Sequence, residues 1–491
     1  MPAVFCGIDV GTQGARCALV RADGQVLGQG ESTFDARTAA LPDGQSEQEP
    51  GAWTSAVKDA VGRARSSLDQ RPPFADRVAA VSVTGTSGTV CALDADHRPI
   101  VPALMYNDSR SAREAEQVQR AGREVTARLG YRFGASFALP KVLWLKRRRP
   151  EVYARCALFL SPTDYIIGWL TGSWPRTDQT NALKWGYDLI EDRWPDFIER
   201  DLGIARALLP AVQKPGTEAG RVTPDRAREL GLPSGTPVAA GMTDGCASQV
   251  ASGAVAPGQY NTTIGTTMVI KGVSDHLLLD PMGRIYCHRH PAGWWLPGGA
   301  SNTGAECLAV EFGPAETESR SARALDHSPS DLVAYPLVGK GERFPFRAPQ
   351  AERFLIGEPR GRDDLFAAYL EGVACLERLA YDTLDDLGAR VGQTILSAGG
   401  GSRSDAWLQI RADTLNKRVA RPAAAGAALG AAIVAASMEE YTNLTEAVHA
   451  MVRIEREVEP RPSLTGAYAA KYERFRQECV NRGYLPRPWP G

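Results

Sequence analysis

The sequence predicts a two-lobed α/β protein, and three observations carry that prediction. A chain of 491 residues has room for two to four domains. Hydrophobic residues make up 43% and charged residues 23%, which suits a large core beneath a solvated surface. A strand, a Gly/Thr turn and a second strand open the chain, and the same unit recurs after residue 238. Such duplication implies two similar lobes, 1–237 and 238–491, with a cleft between them.

The elements follow in order. Residues 4–10 form a compact apolar run, Gly11-Thr12-Gln13-Gly14 a turn, and 15–20 a second apolar run; Asp23-Gly24 turns the chain into a third strand at 25–30. Strand, turn, strand, turn, strand reads as an antiparallel meander. Helical spacing with a charged face covers 53–68 and 110–121. Residues 78–84 read as a strand, Gly85-Thr86-Ser87-Gly88 as a turn and 90–93 as a strand; the likeness of 16–24 to 90–97 predicts two hairpins in one sheet. The basic run 146–149 suits a helix C-terminus before Pro150, with a phosphate patch as the other reading. Ser161 followed by Pro162 is a helix start, Ser as N-cap and Pro in the first turn. After the turn cluster 233–237, a strand at 238–241 leads to Met242-Thr243-Asp244-Gly245, and 260–270 repeats strand, Gly-Thr turn, strand. The stretch 319–329 is polar and reads as a loop or short exposed helix. Helices dominate beyond 362: 364–387 and 405–415 are helical, with a strand at 394–398 and Gly399-Gly400-Gly401-Ser402 between them.

Composition excludes several classes of function. Lys plus Arg total 56 and Asp plus Glu 57, a net charge of −1, so the basic surplus of a nucleic-acid binder is missing. The 9 cysteines are scattered, odd in number and without a CxxC pair, as expected of buried thiols in a reducing cytoplasm. An apolar strand pattern begins at once after Met1-Pro2-Ala3, so no signal peptide is expected. The apolar stretch 423–436 is Ala/Gly-rich, too short for a membrane span, and reads as a tightly packed internal helix.

Asp9 ends a strand just before a turn of small residues. Such a turn can offer backbone N–H groups to phosphate oxygens, while the carboxylate holds Mg²⁺ or orients a hydroxyl. Ile264-Gly265-Thr266-Thr267 has the same shape. An ordinary hairpin explains either turn alone; the occurrence of both, one per lobe, favours a two-sided phosphate clamp. Asp244 stands at a strand end, either as a helix N-cap or as a carboxylate able to take a proton from an attacking hydroxyl. The glycines at 399–401 precede a helix and could admit a nucleotide close to the backbone. Cys287, His288 and His290 look like metal ligands, but strand alternation sends Cys287 to the face opposite the histidines, and no metal is expected there.

Taken together, these segments resemble the FGGY carbohydrate kinases, which share the ribonuclease H-like superfold of actin, hexokinase and the chaperone ATPases. Gly7-Ile8-Asp9-Val10-Gly11-Thr12 matches that family's first phosphate motif, Ala240-Gly241-Met242-Thr243-Asp244 its catalytic aspartate motif and Ile264-Gly265-Thr266-Thr267 its second phosphate motif. Ala398 to Ser402, with Trp407, Gln409, Ala412 and Asp413, matches the adenosine motif; Glu47-Gln48-Glu49-Pro50 with Trp53, and Tyr106-Asn107-Asp108 with Arg110, resemble two further family segments. A closer likeness is to the ribulokinase-like subgroup. Thr86-Ser87-Gly88-Thr89 stands where xylulokinases carry Gln-Met-His-Gly, and Asn181 to Tyr187, Gly299 to Asn302 and Gly341-Glu342-Arg343-Phe344-Pro345 look like that subgroup too. Two departures stand out: Thr84 replaces the subgroup's Asp, and 422–428 lacks the usual Glu.

The resemblance implies two actin-like lobes and an ATP-dependent sugar kinase acting on a pentulose, D-ribulose ahead of D-xylulose. It casts Asp244 as general base, and Asp9 as substrate-orienting residue and Mg²⁺ ligand through water. Thr12 and Gln13 would meet the phosphates from one lobe, and Gly265, Thr266 and Thr267 from the other. Gly400 and Gly401 would receive the nucleotide, and Ser404 and Trp407 would border the adenosine. Ser87 would bond the sugar, together with Asn107, Asp108 and Lys184. The implied cofactors are ATP and Mg²⁺, and the partners a small-molecule sugar and MgATP, with no nucleic acid, no membrane and a homodimer left open. A non-catalytic sugar sensor and a protein-directed ATPase are the rivals from other classes.

Overall fold

The computed structural model describes residues 3–34, 41–67 and 78–486. The chain divides into two compact units. The first comprises 1–251, 288–293 and 426–452, and the second 252–287, 294–425 and 453–491.

The first unit is built on a six-stranded sheet. β1 (Val4–Val10) is buried along its whole length and pairs antiparallel with β2 (Gly14–Arg21), which pairs antiparallel with β3 (Val26–Thr33). On its other side β1 is parallel to β4 (Val78–Gly85), and beyond β4 lie β5 (Glu218–Arg221) and β6 (Pro237–Thr243), in the order β5-β6-β4-β1-β2-β3. A strand buried on both faces reads as a continuous apolar run, which is why β1 shows no alternation. Helix α1 (Pro50–Ser66) buries Trp53, Val57, Ala60, Val61 and Ala64 in the same core as Val4, Ile8, Cys17 and Leu19. It ends at Ser66; position 68, expected to be helical, lies outside the described residues, as do Met1 and Pro2. The Ala/Gly-rich stretch forms a helix over Ala427–Glu439 that contacts β1 and β4. A Cβ on Gly7 would stand 1.9 Å from the carbonyl oxygen of Ala428, so only glycine lets the strand and helix backbones approach this closely.

One sequence expectation fails here. Residues 90–93 do not hairpin back into the main sheet; Cys91–Leu93 pairs with Leu158–Leu160 in a separate two-stranded sheet. The reason is that β4 already has β1 on one edge and β6 on the other, so its backbone groups are taken.

The second unit holds a seven-stranded sheet. Its strands are β7 (Tyr260–Ile264), β8 (Met268–Gly272), β9 (Tyr286–Arg289), β10 (Trp295–Ala300), β11 (Thr394–Ala398), β12 (Arg418–Pro422) and β13 (Ile454–Val458), in the order β9-β10-β8-β7-β11-β12-β13. The run β10-β8-β7-β11-β12 repeats β3-β2-β1-β4-β6: an antiparallel meander followed by two parallel strands. The duplication inferred from the two Gly/Thr turns is thus a duplication of topology. The 25-residue helix Arg362–Asp386 packs on Asp405–Leu415 and centres the second core, with Phe366, Leu370, Leu376 and Trp407. The polar stretch 319–329 begins in the last turn of a helix, Gly313–Ser321, that buries none of its residues, and continues into a short 3-10 turn, Ala324–His327, in which Ala324 is buried. Among the described residues no helix is long and apolar enough to cross a membrane. All 9 cysteines are free thiols and buried.

Candidate active site

Parallel β1, β4 and β6 all end at the same edge of the first sheet. Asp9 pairs in register with Thr84, Val10 with Gly85, and Gly85 with Thr243. Three sequence-distant segments therefore meet there: the turn after β1, Ser87 after β4 and Asp244 after β6. Carboxyl ends of parallel strands are where open α/β sheets bind ligands.

Asp9 is 5% exposed. Its Oδ2 lies 3.6 Å from Arg16 Nη1, and its buried Oδ1 has no hydrogen-bond partner among the described residues. Burial, and then the negative charge of Asp244, push the Asp9 carboxyl up to about 7, while Arg16 pulls it the other way. A divalent cation fits this donor set. Mg²⁺ binds through one or two carboxylates and keeps most of its waters, and Asp9 offers one uncommitted buried oxygen beside a second carboxylate. Sequence reasoning missed Arg16, although the signal was present: a two-stranded hairpin closing at Gly11–Gly14 sets Asp9 opposite Arg16.

Asp244 is the first residue of a helix, Asp244–Ser252, and its Oδ1 accepts from the N–H of Gly245 at 2.7 Å. The strand end before it is braced by a buried polar relay that sequence reasoning also missed. The N–H of Thr243 donates to Thr180 Oγ1 at 2.9 Å, and that hydroxyl donates to Asp178 Oδ1 at 2.6 Å. Asp178 caps the short helix Gln179–Ala182, and burial raises its pKa. Thr84 spans the strands between the two carboxylates, its hydroxyl donating to the carbonyl of Met242 at 2.6 Å.

The first turn is held from outside. Gln48 Nε2 donates to Thr12 O at 2.6 Å, and Trp53 Nε1 donates to Gln48 Oε1 at 2.8 Å. The Gln48…Trp53 pattern thereby has a physical purpose: it fixes the turn that carries Thr12 and exposed Gln13. Thr12 Oγ1 also donates to Tyr106 OH at 3.4 Å. Ser87 is half-buried, and Lys184 Nζ donates to its carbonyl at 3.4 Å. Gly88, with φ +84°, lies against Ser136, whose carbonyl oxygen would stand 2.2 Å from a Cβ, so no larger residue is accommodated there. Asn107 is exposed. Its neighbour Asp108 is buried and braces its own turn, accepting from Ser46 N at 2.8 Å, Arg110 N at 3.0 Å and the Arg110 guanidinium.

In the second unit two turns meet at Ile264, the last residue of β7. Gly265-Thr266-Thr267 follows it directly, closed by Gly265 N to Thr267 O at 3.0 Å. Gly399, with φ +84°, packs on its backbone, where a Cβ would stand 2.4 Å from Ile264 O. A Cβ on Gly400 would meet nothing within 4 Å, so that backbone is open to a ligand. Ser404 is the N-cap of Asp405–Leu415, accepting from Trp407 N at 3.2 Å. Trp407 lies in the core under Gly401, its Nε1 donating to Leu370 O at 3.1 Å. Trp407 thus backs the glycine turn from below, while Ser404 caps the helix that follows it.

Comparison with known proteins accounts for this arrangement. The N-terminal domain of the FGGY family of carbohydrate kinases matches residues 4–251, and its C-terminal domain residues 261–439. The chain is 29% identical to the xylulose kinase of Escherichia coli (strain K12) over 444 residues, 88% of this chain and 89% of that one. It is 30% identical to the xylulose kinase of Streptomyces rubiginosus over 441 residues, 88% of this chain and 87% of that one. The crystal structure of xylulose kinase from Rhodospirillum rubrum matches it with a TM-score of 0.85 at 26% identity, covering 97% of this chain and 98% of that one. With both family domains present in order and both sheets repeating one topology, the chain belongs to the FGGY family of carbohydrate kinases and is an ATP-dependent sugar kinase.

Proposed function

We propose that this kinase phosphorylates the terminal hydroxyl of a pentulose, D-xylulose ahead of D-ribulose. The observation that carries the catalytic part is the placing of two carboxylates, Asp9 and Asp244, at the carboxyl ends of the two parallel strands that flank β4, where the charge of one raises the pKa of the other. The order of substrates reverses the sequence expectation, because the relatives described above are named xylulose kinases. D-ribulose remains the competing reading on one observation: Ser87 and Gly88 form a floor with no side chain at 88.

Phosphoryl transfer needs positioning, charge neutralisation and a group to receive the hydroxyl proton. Asp244 takes that proton, and Asp9 orients the sugar and is the residue that would hold Mg²⁺ through water. The cation, when bound with ATP, supplies neutralisation of phosphate charge. Thr12 and Gln13 receive phosphate oxygens, as do Gly265, Thr266 and Thr267; the open backbone at Gly400 and Gly401 receives the nucleotide. Ser87, Asn107 and Lys184 contact the sugar, and Asp108 holds the turn that presents Asn107.

A coupled assay across D-xylulose, D-ribulose, their L-isomers, ribitol and glycerol tests this reading. The highest kcat/KM should fall on D-xylulose. A preference for D-ribulose of ~10-fold or more, about 1.4 kcal/mol in the transition state, would restore the competing reading.

A further inference from the structure

Glu342 takes no part in the chemistry above. It is 4% exposed, belongs to the second unit, and sits in the Gly341-Glu342-Arg343-Phe344-Pro345 segment that stood out in the sequence. Its Oε2 accepts from the hydroxyls of Ser301 at 2.8 Å, Thr303 at 3.0 Å and Tyr335 at 3.0 Å. Its Oε1 accepts from the backbone N–H groups of Asn302 at 2.6 Å and Arg343 at 2.9 Å. One carboxylate thus ties down three consecutive residues, 301–303, and Asn302 Nδ2 adds a bond to Gly341 O at 2.9 Å.

Those residues begin the segment that shapes the turn at 265–267. Ser301 N donates to Met268 O at 2.8 Å and Met268 N to Thr303 O at 3.0 Å. Ala305 N donates to Gly265 O at 2.8 Å and Glu306 N to Thr266 O at 3.3 Å. Gly304 lies so near that a Cβ would stand 2.6 Å from Thr266 O. Thr266 is exposed and Thr267 half-buried, so the turn's shape comes from 301–306, and the shape of 301–303 comes from Glu342.

We propose that Glu342 is a positioning residue for the nucleotide, holding the turn 265–267 in the form that receives phosphate oxygens. The proposal rests on the assignment of that turn to phosphate binding. A carboxylate suits the task because it offers only acceptor oxygens to these neighbours, and two of the donors are backbone N–H groups that cannot reverse. A glutamine can keep its oxygen on those two N–H groups, but its amide nitrogen then faces three hydroxyls that had been donating. Glu342→Gln should therefore fold and loosen the hydroxyl side of the cluster. Thr303→Val removes one of those hydroxyls at nearly constant volume.

The test measures ADP affinity by calorimetry, and KM for ATP and for sugar, on the full-length enzyme and its variants, with the melting temperature recorded for each. Glu342→Gln and Thr303→Val should raise the Kd for ADP and the KM for ATP by ~5-fold or more and leave the KM for sugar within about twofold, since one loosened hydrogen-bonded contact is on the order of 1 kcal/mol. Gly265→Val tests the underlying assignment separately: a Cβ on Gly265 would meet only Thr267 O, at an ordinary contact distance of 3.9 Å, so the variant should fold, with an isopropyl group where phosphate oxygens would come. If Gly265→Val weakens ADP and the Glu342 and Thr303 variants do not, the inference about Glu342 is overturned and the turn keeps its role. An unchanged Kd in Gly265→Val removes both. A lower melting temperature with wild-type ADP affinity in the folded Glu342→Gln and Thr303→Val enzymes reduces Glu342 to a scaffold residue and also overturns the inference.

Discussion

The turns at 11–14 and 265–267 close two strands of the same topology, yet their surroundings are opposite in kind. Two residues before the first turn stands Asp9, buried, with one oxygen uncommitted and a second carboxylate beside it. The matching position before the second turn is Thr263, and the buried carboxylate that braces the segment behind that turn, Glu342, accepts from five protein donors. Both regions use acids, one held ready and the other consumed by structure. The comparison teaches that a repeated topology need not repeat its side chains: the position two residues before the turn is a buried carboxylate in the first unit and a threonine in the second.

The largest expected effect breaks the comparison most directly. Asp244→Asn keeps the side-chain volume and removes the proton acceptor, so kcat should fall ~10²–10⁴-fold while ADP affinity stays near wild type. Turnover within a few-fold of wild type in a folded variant would strip the first unit of its chemical role.

A second measurement sharpens the contrast through pH. Burial and the charge of Asp244 favour the neutral form of Asp9, and the proposed role needs the anion, so kcat/KM should rise with pH through about 7 and then level off. At one pH unit below that midpoint about a tenth of Asp9 is ionised, and kcat/KM should be ~10-fold below the plateau. Arg16 favours the anion, so Arg16→Met should move the midpoint upward. A flat profile, or a downward shift in Arg16→Met, contradicts this account.

The smallest effect belongs to the second unit and should appear in stability rather than in the chemical step. Gly399→Ala puts a methyl group against Ile264 O at positive φ and should cost roughly 1–3 kcal/mol, read from denaturant melts. Gly400→Ala enters open space and should stay within about 0.5 kcal/mol. Equal losses at the two sites would mean that the glycine turn is not the asymmetric surface described here.

How much of this was visible in the sequence depended on range. The largely apolar 4–10 run, the helix start with Ser161 as N-cap and Pro162 in the first turn, and the helix at 405–415 are local features, and the chain adopts them as expected. The strand at 90–93 left the main sheet because an edge it needed was taken by residues 237–243, more than 140 positions away. Asp9 and Asp244 were visible because each ends a strand before small residues. The Asp178–Thr180–Thr243 relay was not, since nothing local tells which backbone N–H a buried threonine will meet. Trp407 illustrates the converse: it was visible as part of a motif, but its burial under Gly401 is a property of packing.

The helix Ala427–Glu439 carries one more consequence, in the timing of synthesis. It covers β1, yet it is made long after β1, once the whole of 252–425 has emerged. At ~5–20 residues per second, the ~190 residues from 251 to 439 represent roughly 10–40 s. Through that interval the nascent first unit has Gly7 and its neighbours without their helix, a sheet face with no cover of its own. The completed unit is discontinuous in sequence, so its cooperative folding waits for a segment on the far side of another fold. The close Gly7–Ala428 approach can form only once residue 428 has been made, so the packing of β1 against its helix is among the last contacts of the first unit to become available.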